Sequence, residues 1–298
     1  MMPVLPSAAI VTASYAGDLE RCRLLCASID RFVTGWNKHY LLVEDRDVAA
    51  FRRLETPNRI IVPESALFPD WLRCWPDLLS LGRRRIWTGQ GALMRGIPPL
   101  RGWHAQQLRK LALPALMADD VFLYTDSDLM FLRPFDLAAL SDERGTRLYR
   151  KPAGLTADMP EHVSWCRSAS RALGLPAPAI PSDDYINNLV TWTKANILAL
   201  HAHLERQRGR HWIAEVAASR NFSECMVYGY FVDRVLGAKA RHWPAALPLA
   251  RTIWGPEDWP AGGIAAAAAG LEEGQVAIGV QSFIGAEVKT LRAYLDQV

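Results

Sequence analysis

The chain has 298 residues, half of them hydrophobic and 22% charged, which suits an ordinary folded protein and excludes a disordered one. A formal net charge of +3 is too mild for a nucleic-acid binder, and no stretch approaches the ~20 apolar residues of a membrane span. Five cysteines (Cys22, Cys26, Cys74, Cys166 and Cys225), without paired spacings, argue against a disulfide framework or a zinc knuckle and make a reducing, cytoplasmic setting the default.

The first residues lack a basic leader, and Pro3 and Pro6 interrupt their apolar run, so no secretory signal is expected. A peripheral membrane contact stays open. Eleven tryptophans are many for this length and add a little weight to a carbohydrate or nucleotide ligand.

Residues 8–14 read as a short buried strand. A helix follows, with Leu19, Cys22, Leu25, Ile29 and Phe32 at helical spacing behind an Asp18 cap. Cys22 and Cys26 sit on it as small buried hydrophobes. Residues 39–45 make a second strand, 48–54 a short helix and 59–64 a third strand. Buried strands alternating with amphipathic helices predict a parallel sheet of the α/β kind. No glycine-rich phosphate loop follows the first strand, which removes the main support for a dinucleotide or P-loop site.

Residues 64–102 break this rhythm with proline, glycine and tryptophan and are expected as a long excursion over a site, with Arg83 to Arg85 as a solvated basic turn. In "GWHAQQLRKLALPALMADD" (102–120), Trp103, Gln106, Gln107 and Lys110 fall on one helical face while Leu108 and Leu111 turn to the core. Trp103 reads as packing. Pro114 should kink or restart the helix. Residues 121–125 then form a strand that delivers the chain to Asp126.

After Asp128 the chain continues extended to Pro134, with a short helix at 135–140 and a strand at 146–151. Residues 152–182 carry no clear pattern. Residues 183–204 are expected as one long helix, 221–236 as a second, 275–282 as a late strand and 286–295 as a closing helix. The low-complexity run 262–270 reads as a flexible connector.

The stretch "FLYTDSDLMFLRP" (122–134) poses the functional question, because it places Asp126 and Asp128 against apolar residues on both sides. Residues two apart on an extended backbone point the same way, so the two carboxylates converge if the strand persists. In an open α/β sheet they would sit beyond the strand's carboxyl end, where ligands bind. An oxygen-only site there suits Mg²⁺ or Mn²⁺, whose charge can stabilise a diphosphate leaving group. An acidic turn that merely ends a strand explains the same residues.

Five segments, "VTASYAGDLERCRLLCASIDRF", "GWHAQQLRKLAL", "VFLYTDSDLMFLRPF", "YINNLVTW" and "FSECMVYGYF", together resemble a GT-A-fold glycosyltransferase, in particular a bacterial family of unassigned function with that fold. They span most of residues 10–232. The resemblance implies one GT-A-like domain over 1–298 with a single Rossmann-like mixed sheet flanked by helices. Its nucleotide-sugar-binding half would be 1–150 and its acceptor-side half 151–298.

The resemblance also implies that Asp128 ligates Mn²⁺ or Mg²⁺, with Asp126 on the donor ribose or a metal-bound water. Thr12 and neighbours such as Tyr15, at the end of the first strand, would meet the base. Lys110 and Gln107 would hold the donor's phosphate or sugar region, and His242 would be a third metal ligand. Glu224 is the candidate base of an inverting transfer, or else a residue complementing a helix dipole. Asp184 and Asn187 are candidates for acceptor hydroxyls, or else caps. The partners expected are a nucleotide-sugar donor and a glycan, lipid-linked or small-molecule acceptor. An Asp-x-Asp phosphohydrolase is the rival enzyme class, although in it the motif normally ends the first strand; a catalytically inactive sugar- or nucleotide-binding protein of the same fold is the rival outside enzymes.

Overall fold

The structure is a computed structural model that describes residues 6–75 and 85–298. Arg83 and Arg84 lie outside the described residues.

Strand β1 (Ala8–Ala13), helix α1 (Leu19–Phe32), strand β2 (Lys38–Val43) and strand β3 (Arg59–Pro63) follow the expected order. Helix α2 (Gly102–Ala112) then leads through a 3₁₀ turn at Leu113–Ala115 to β4 (Val121–Asp126). Pro114 sits in that turn and ends the helix, as a residue without an amide hydrogen must.

The main sheet has the order β9-β4-β1-β2-β3, where β9 is Leu189–Thr193; β9 runs antiparallel to β4 and the other pairs are parallel. The protein is therefore a mixed α/β fold, a Rossmann-like five-stranded, mostly parallel sheet flanked by helices.

Every residue of β1 is buried, and its alternation feeds two cores. Ala9, Val11 and Ala13 pack with Leu108, Leu111, Phe122 and Tyr124 on the α2 side. Ala8 and Ile10 pack with Leu25, Ile29, Val121 and Leu123 on the α1 side. Asp126 shares the parity of Phe122 and Tyr124, so period-two alternation turns it towards α2.

The strand stops at Asp126. Ser127 and Asp128 turn, and β5 (Leu129–Phe131) leaves for a second sheet of order β11-β12-β5, where β11 is Ala250–Ile253 and β12 is Ala277–Val280. Residues 250–298 are thus stitched to the acidic turn, with the Val280 amide donating to the Asp128 carbonyl at 3.0 Å.

Three expectations are corrected. Residues 183–204 are not one helix: β8 (Ser182–Asp184) and β9 precede α4 (Lys194–Arg208). The Asp184 side chain accepts from the Ile186 amide at 3.0 Å and Asn187 from the Leu189 amide at 3.1 Å, local bonds that compete with a helix. The β-branched run Val190, Thr191 and Thr193 then favours strand.

The run at 262–270 is helical over α6 (Gly263–Ala269), because Ile264 and Ala267 are buried against α1 and the closing helix α7 (Val288–Gln297). Arg85 is no solvated turn: it pairs with Glu44 and lies 3.4 Å from Asp47, with its guanidinium 5.8 Å from the Tyr15 ring centroid.

The patternless stretch 152–182 contains most of β7 (Lys151–Leu155), and α3 (Pro160–Ala172) with proline in its first turn. Among the described residues no helix is long and apolar enough to cross a membrane.

Candidate functional site

A cleft of about 980 Å³ opens at the carboxyl end of β4. That volume is the size of a substantial ligand site. Helix α2 lines it with Trp103, Gln106, Gln107 and Lys110; the turn after β4 adds Asp126, Ser127 and Asp128. Helix α5 (Glu224–Tyr230) presents Glu224 at its first turn, with the Ser223 hydroxyl accepting from the Met226 amide at 3.4 Å. The capping bond is therefore made by Ser223, which leaves the Glu224 side chain for the cleft.

Lys110 ties these elements together. Its Nζ lies 2.8 Å from Asp126 Oδ1 and 3.3 Å from Glu224 Oε1. Burial alone would push the ammonium towards neutrality, but Asp126 and then Glu224 overcome it and hold it well above the ordinary lysine value. The Tyr124 hydroxyl donates to the Lys110 carbonyl at 3.0 Å, and Gln107 Oε1 accepts the Glu224 amide at 2.9 Å, fixing α5 against α2.

The opposite charge is in excess. Asp128 is pushed up to about 7 by burial, then by Asp126 and Asp18, with Arg21 opposing. Asp18 is raised by burial too, and accepts from the Ser127 hydroxyl at 3.3 Å. Asp128 Oδ1 is sealed from solvent without a hydrogen-bond partner.

Arg21 spends its own hydrogen bonds on backbone, reaching the Val280 and Ala286 carbonyls at 3.1 and 3.0 Å. Three aspartates crowd one turn, and among the described residues no Lys or Arg side chain bonds Asp128. That donor set is all oxygen and fits a hard divalent ion. Among the described residues no three His, Cys, Asp or Glu side chains form a ready-made shell, so an ion held by Asp126 and Asp128 would take further oxygens from water or ligand phosphates.

The structure brings Asp126, Asp128, Lys110, Gln107 and Glu224 together around one cleft and sets Asp184 and Asn187 on its wall. Three other sequence candidates fall elsewhere. Thr12 is fully buried beneath α1, with its hydroxyl 3.0 Å from His39 Nε2, because its parity on β1 is that of Ile10. It cannot meet a base from there.

His242 opens the short strand β10 (His242–Ala245) with both ring nitrogens engaged, Nδ1 2.7 Å from the Thr146 carbonyl and Nε2 2.8 Å from the Tyr228 hydroxyl. The carbonyl requires a proton on Nδ1, so Nε2 accepts from the tyrosine and neither nitrogen is free for a metal. Tyr15 stands 44% exposed just past β1, outside the residues that line the cleft.

Sequence reasoning missed Asp18, which lines the cleft instead of capping α1: its side chain makes no capping bond. An acid directly behind the first strand was the available signal. It also missed Arg251, Thr252, Trp254 and Gln275, which the second sheet and its connections bring to the same cleft. Trp103 is 45% exposed and faces the cleft, so it is not packing alone.

Residues 3–255 match the model of a family described as one of unknown function (DUF6492), and no curated protein matches the chain.

Proposed function

The chain belongs to that family of unknown function, whose description carries no activity, and from the geometry of the cleft we propose that it is a metal-dependent glycosyltransferase of GT-A-like fold. It would move a sugar from a nucleotide donor to a carbohydrate-bearing or small-molecule acceptor. The observation that carries this reading is the crowding of Asp18, Asp126 and Asp128 in the lining of one cleft at the carboxyl end of a parallel strand, with Asp128 Oδ1 buried and partnerless among the described residues.

Asp126 and Asp128 would hold Mn²⁺ or Mg²⁺. The ion, when bound, supplies positive charge to a diphosphate leaving group. The chain's own residues do the rest. Lys110, kept cationic by its two carboxylate partners, adds a fixed positive charge at the cleft floor. Glu224 presents the carboxylate that takes the acceptor hydroxyl's proton in an inverting course, and Gln107 fixes its backbone. Asp184 and Asn187, on the wall of the cleft, would bond acceptor hydroxyls.

The test is thermal unfolding with nucleotide sugars and nucleoside diphosphates, each with and without Mn²⁺. Stabilisation by a nucleoside diphosphate only when metal is present is the expected result. Hydrolysis of phosphate esters without nucleotide binding moves the protein to the phosphohydrolase class. Nucleotide binding without any transfer, in a screen of acceptors, leaves a binding protein. Glu224→Gln should keep donor affinity and slow transfer; full activity removes Glu224 as the base.

A further inference from the structure

One wall of the cleft carries an arrangement that the proposed metal and donor chemistry does not use. Trp103, in the first turn of α2, keeps 45% of its surface exposed inside a concave wall. Its ring lies 5.3 Å from that of Trp165 on α3, at 35° between planes, and His162 meets Trp165 edge-on at 4.7 Å. All three rings line the cleft. Paired aromatic rings backed by α2 and α3 make a rigid apolar face, and leaving such a face in a polar cleft forgoes the large burial that tryptophan offers.

The edge of this face is polar in both senses. Gln106 offers a donor and an acceptor, Lys151 only donors, and Asp184 acceptors, all from the lining of the same cleft. Burial raises Asp184, while Lys151 and His162 pull its charged form back. The exposed Trp103 ring, backed by Trp165 and sharing its cleft with mixed donors and acceptors, matches a pyranose ring, whose C–H face is apolar and whose equatorial hydroxyls each donate and accept. A lipid chain would leave those donors and acceptors unpaired.

Distance along α2 places this face relative to the chemistry. Trp103 and Lys110 are seven residues apart on one helical face, about 10 Å at the α-helical rise. Gln107, between them, bonds the Glu224 amide. A ring stacked on Trp103 would therefore lie beside the hydroxyl that Glu224 serves, not on it.

We propose that Trp103 and Trp165 form a stacking platform for a sugar ring of the acceptor, with Gln106, Lys151 and Asp184 bonding its hydroxyls, so that the acceptor is a glycan. This rests on the transferase reading for the word acceptor, but the platform itself is tested without turnover.

The experiment is ligand-observed saturation-transfer NMR on the full chain with diamagnetic Mg²⁺. The probes are methyl glycosides of glucose, galactose, mannose and N-acetylglucosamine, their β1,4-linked disaccharides, and the diphosphates of uridine, guanosine and adenosine. Wild type should transfer saturation to the ring C–H protons of at least one glycoside. Trp103→Ala should weaken that binding about tenfold, Trp103→Phe should retain most of it, and nucleoside diphosphate affinity should be the same in all three proteins.

Glycoside binding that Trp103→Ala leaves untouched overturns the platform. So does a wild type that binds a nucleoside diphosphate and no glycoside, or a loss in Trp103→Ala confined to nucleobase protons, which would make this a base-stacking wall. Trp103-dependent glycoside binding without any nucleoside diphosphate binding keeps the platform and sinks the transferase. If neither class of probe binds, both fall.

Discussion

Lys110 Nζ lies 2.8 Å from Asp126 Oδ1, across the gap between the face of α2 and the last residue of β4. The bond joins a helix to the strand that precedes the acidic turn, and Glu224 reaches the same ammonium from α5. Lys110→Met removes the cation and leaves the buried Glu224 carboxylate and the cleft-lining Asp126 without their shared counter-charge. The variant should lose on the order of 3 kcal/mol in urea unfolding, the usual consequence of removing one partner from a buried pair. Added Mn²⁺ should then raise the midpoint more than in wild type, because it restores positive charge at the same place. A loss below about 0.5 kcal/mol, in the range of a surface pair, would show that the network contributes little.

Asp128 has the opposite character, since its neighbours repel it. Burial, Asp126 and Asp18 all disfavour its charge, and Oδ1 has no hydrogen-bond partner. Asp128→Asn relieves that repulsion at constant volume, so the metal-free protein at pH 8 should become more stable by on the order of 1–2 kcal/mol. The same change should abolish the Mn²⁺-dependent part of nucleotide binding. A variant that is less stable, yet still binds Mn²⁺ as tightly as wild type, would mean that the carboxylate serves the fold and not an ion.

His242 allows a check with a definite sign. Burial lowers it to about 4, with the Thr146 carbonyl opposing. An unfolded histidine titrates near 6.5, so between pH 6.5 and 4 the unfolded chain binds the extra proton and stability falls as pH falls. The limiting slope is about 1.4 kcal/mol per pH unit for one such group.

His201, also lowered to about 4 by burial and stacked 4.1 Å from Trp212, adds a second proton over the same window. Asp128, held up to about 7, contributes the opposite slope in this window, so His242→Gln should lower the wild-type slope by up to about 1.4 kcal/mol per pH unit and leave Mn²⁺ binding unchanged. A weakened Mn²⁺ affinity would return His242 to the ligand set despite its two hydrogen bonds.

The features legible in the sequence are those set by near neighbours along the chain. The continuous apolar runs of β1 and β4 and the shared face of Trp103, Gln107 and Lys110 needed only local spacing. The parts that were not legible depend on distant partners. His242 invited a metal role because Thr146, 96 residues away, and Tyr228 are invisible from its own segment.

The second sheet was equally hidden, since β12 pairs with β5 across some 150 residues and brings Gln275 and Thr252 to the cleft. At 183–204 the local signal existed and was misweighed. Asp184 and Asn187 make turn bonds to their own backbone, which outcompete a helical apolar pattern in which Val190 happened to fit.

One close approach links that segment to the candidate base. A Cβ on Gly229 would overlap the ring of Tyr185, so α5 packs against the 185–187 turn only because residue 229 has no side chain. Tyr185 cannot retreat freely: it is buried, and its hydroxyl donates to Asp233 Oδ2 at 2.7 Å.

Gly229→Ala should therefore cost about 1–3 kcal/mol of stability through overpacking, even though alanine is the better helix former. Because α5 also carries Glu224, the displacement should lower turnover more than donor affinity. Combining it with Tyr185→Leu opens the space, at the price of the bond to Asp233, and should recover part of the stability. A double-mutant cycle in urea reads the coupling directly. Simple additivity would show that glycine at 229 is not held there by Tyr185.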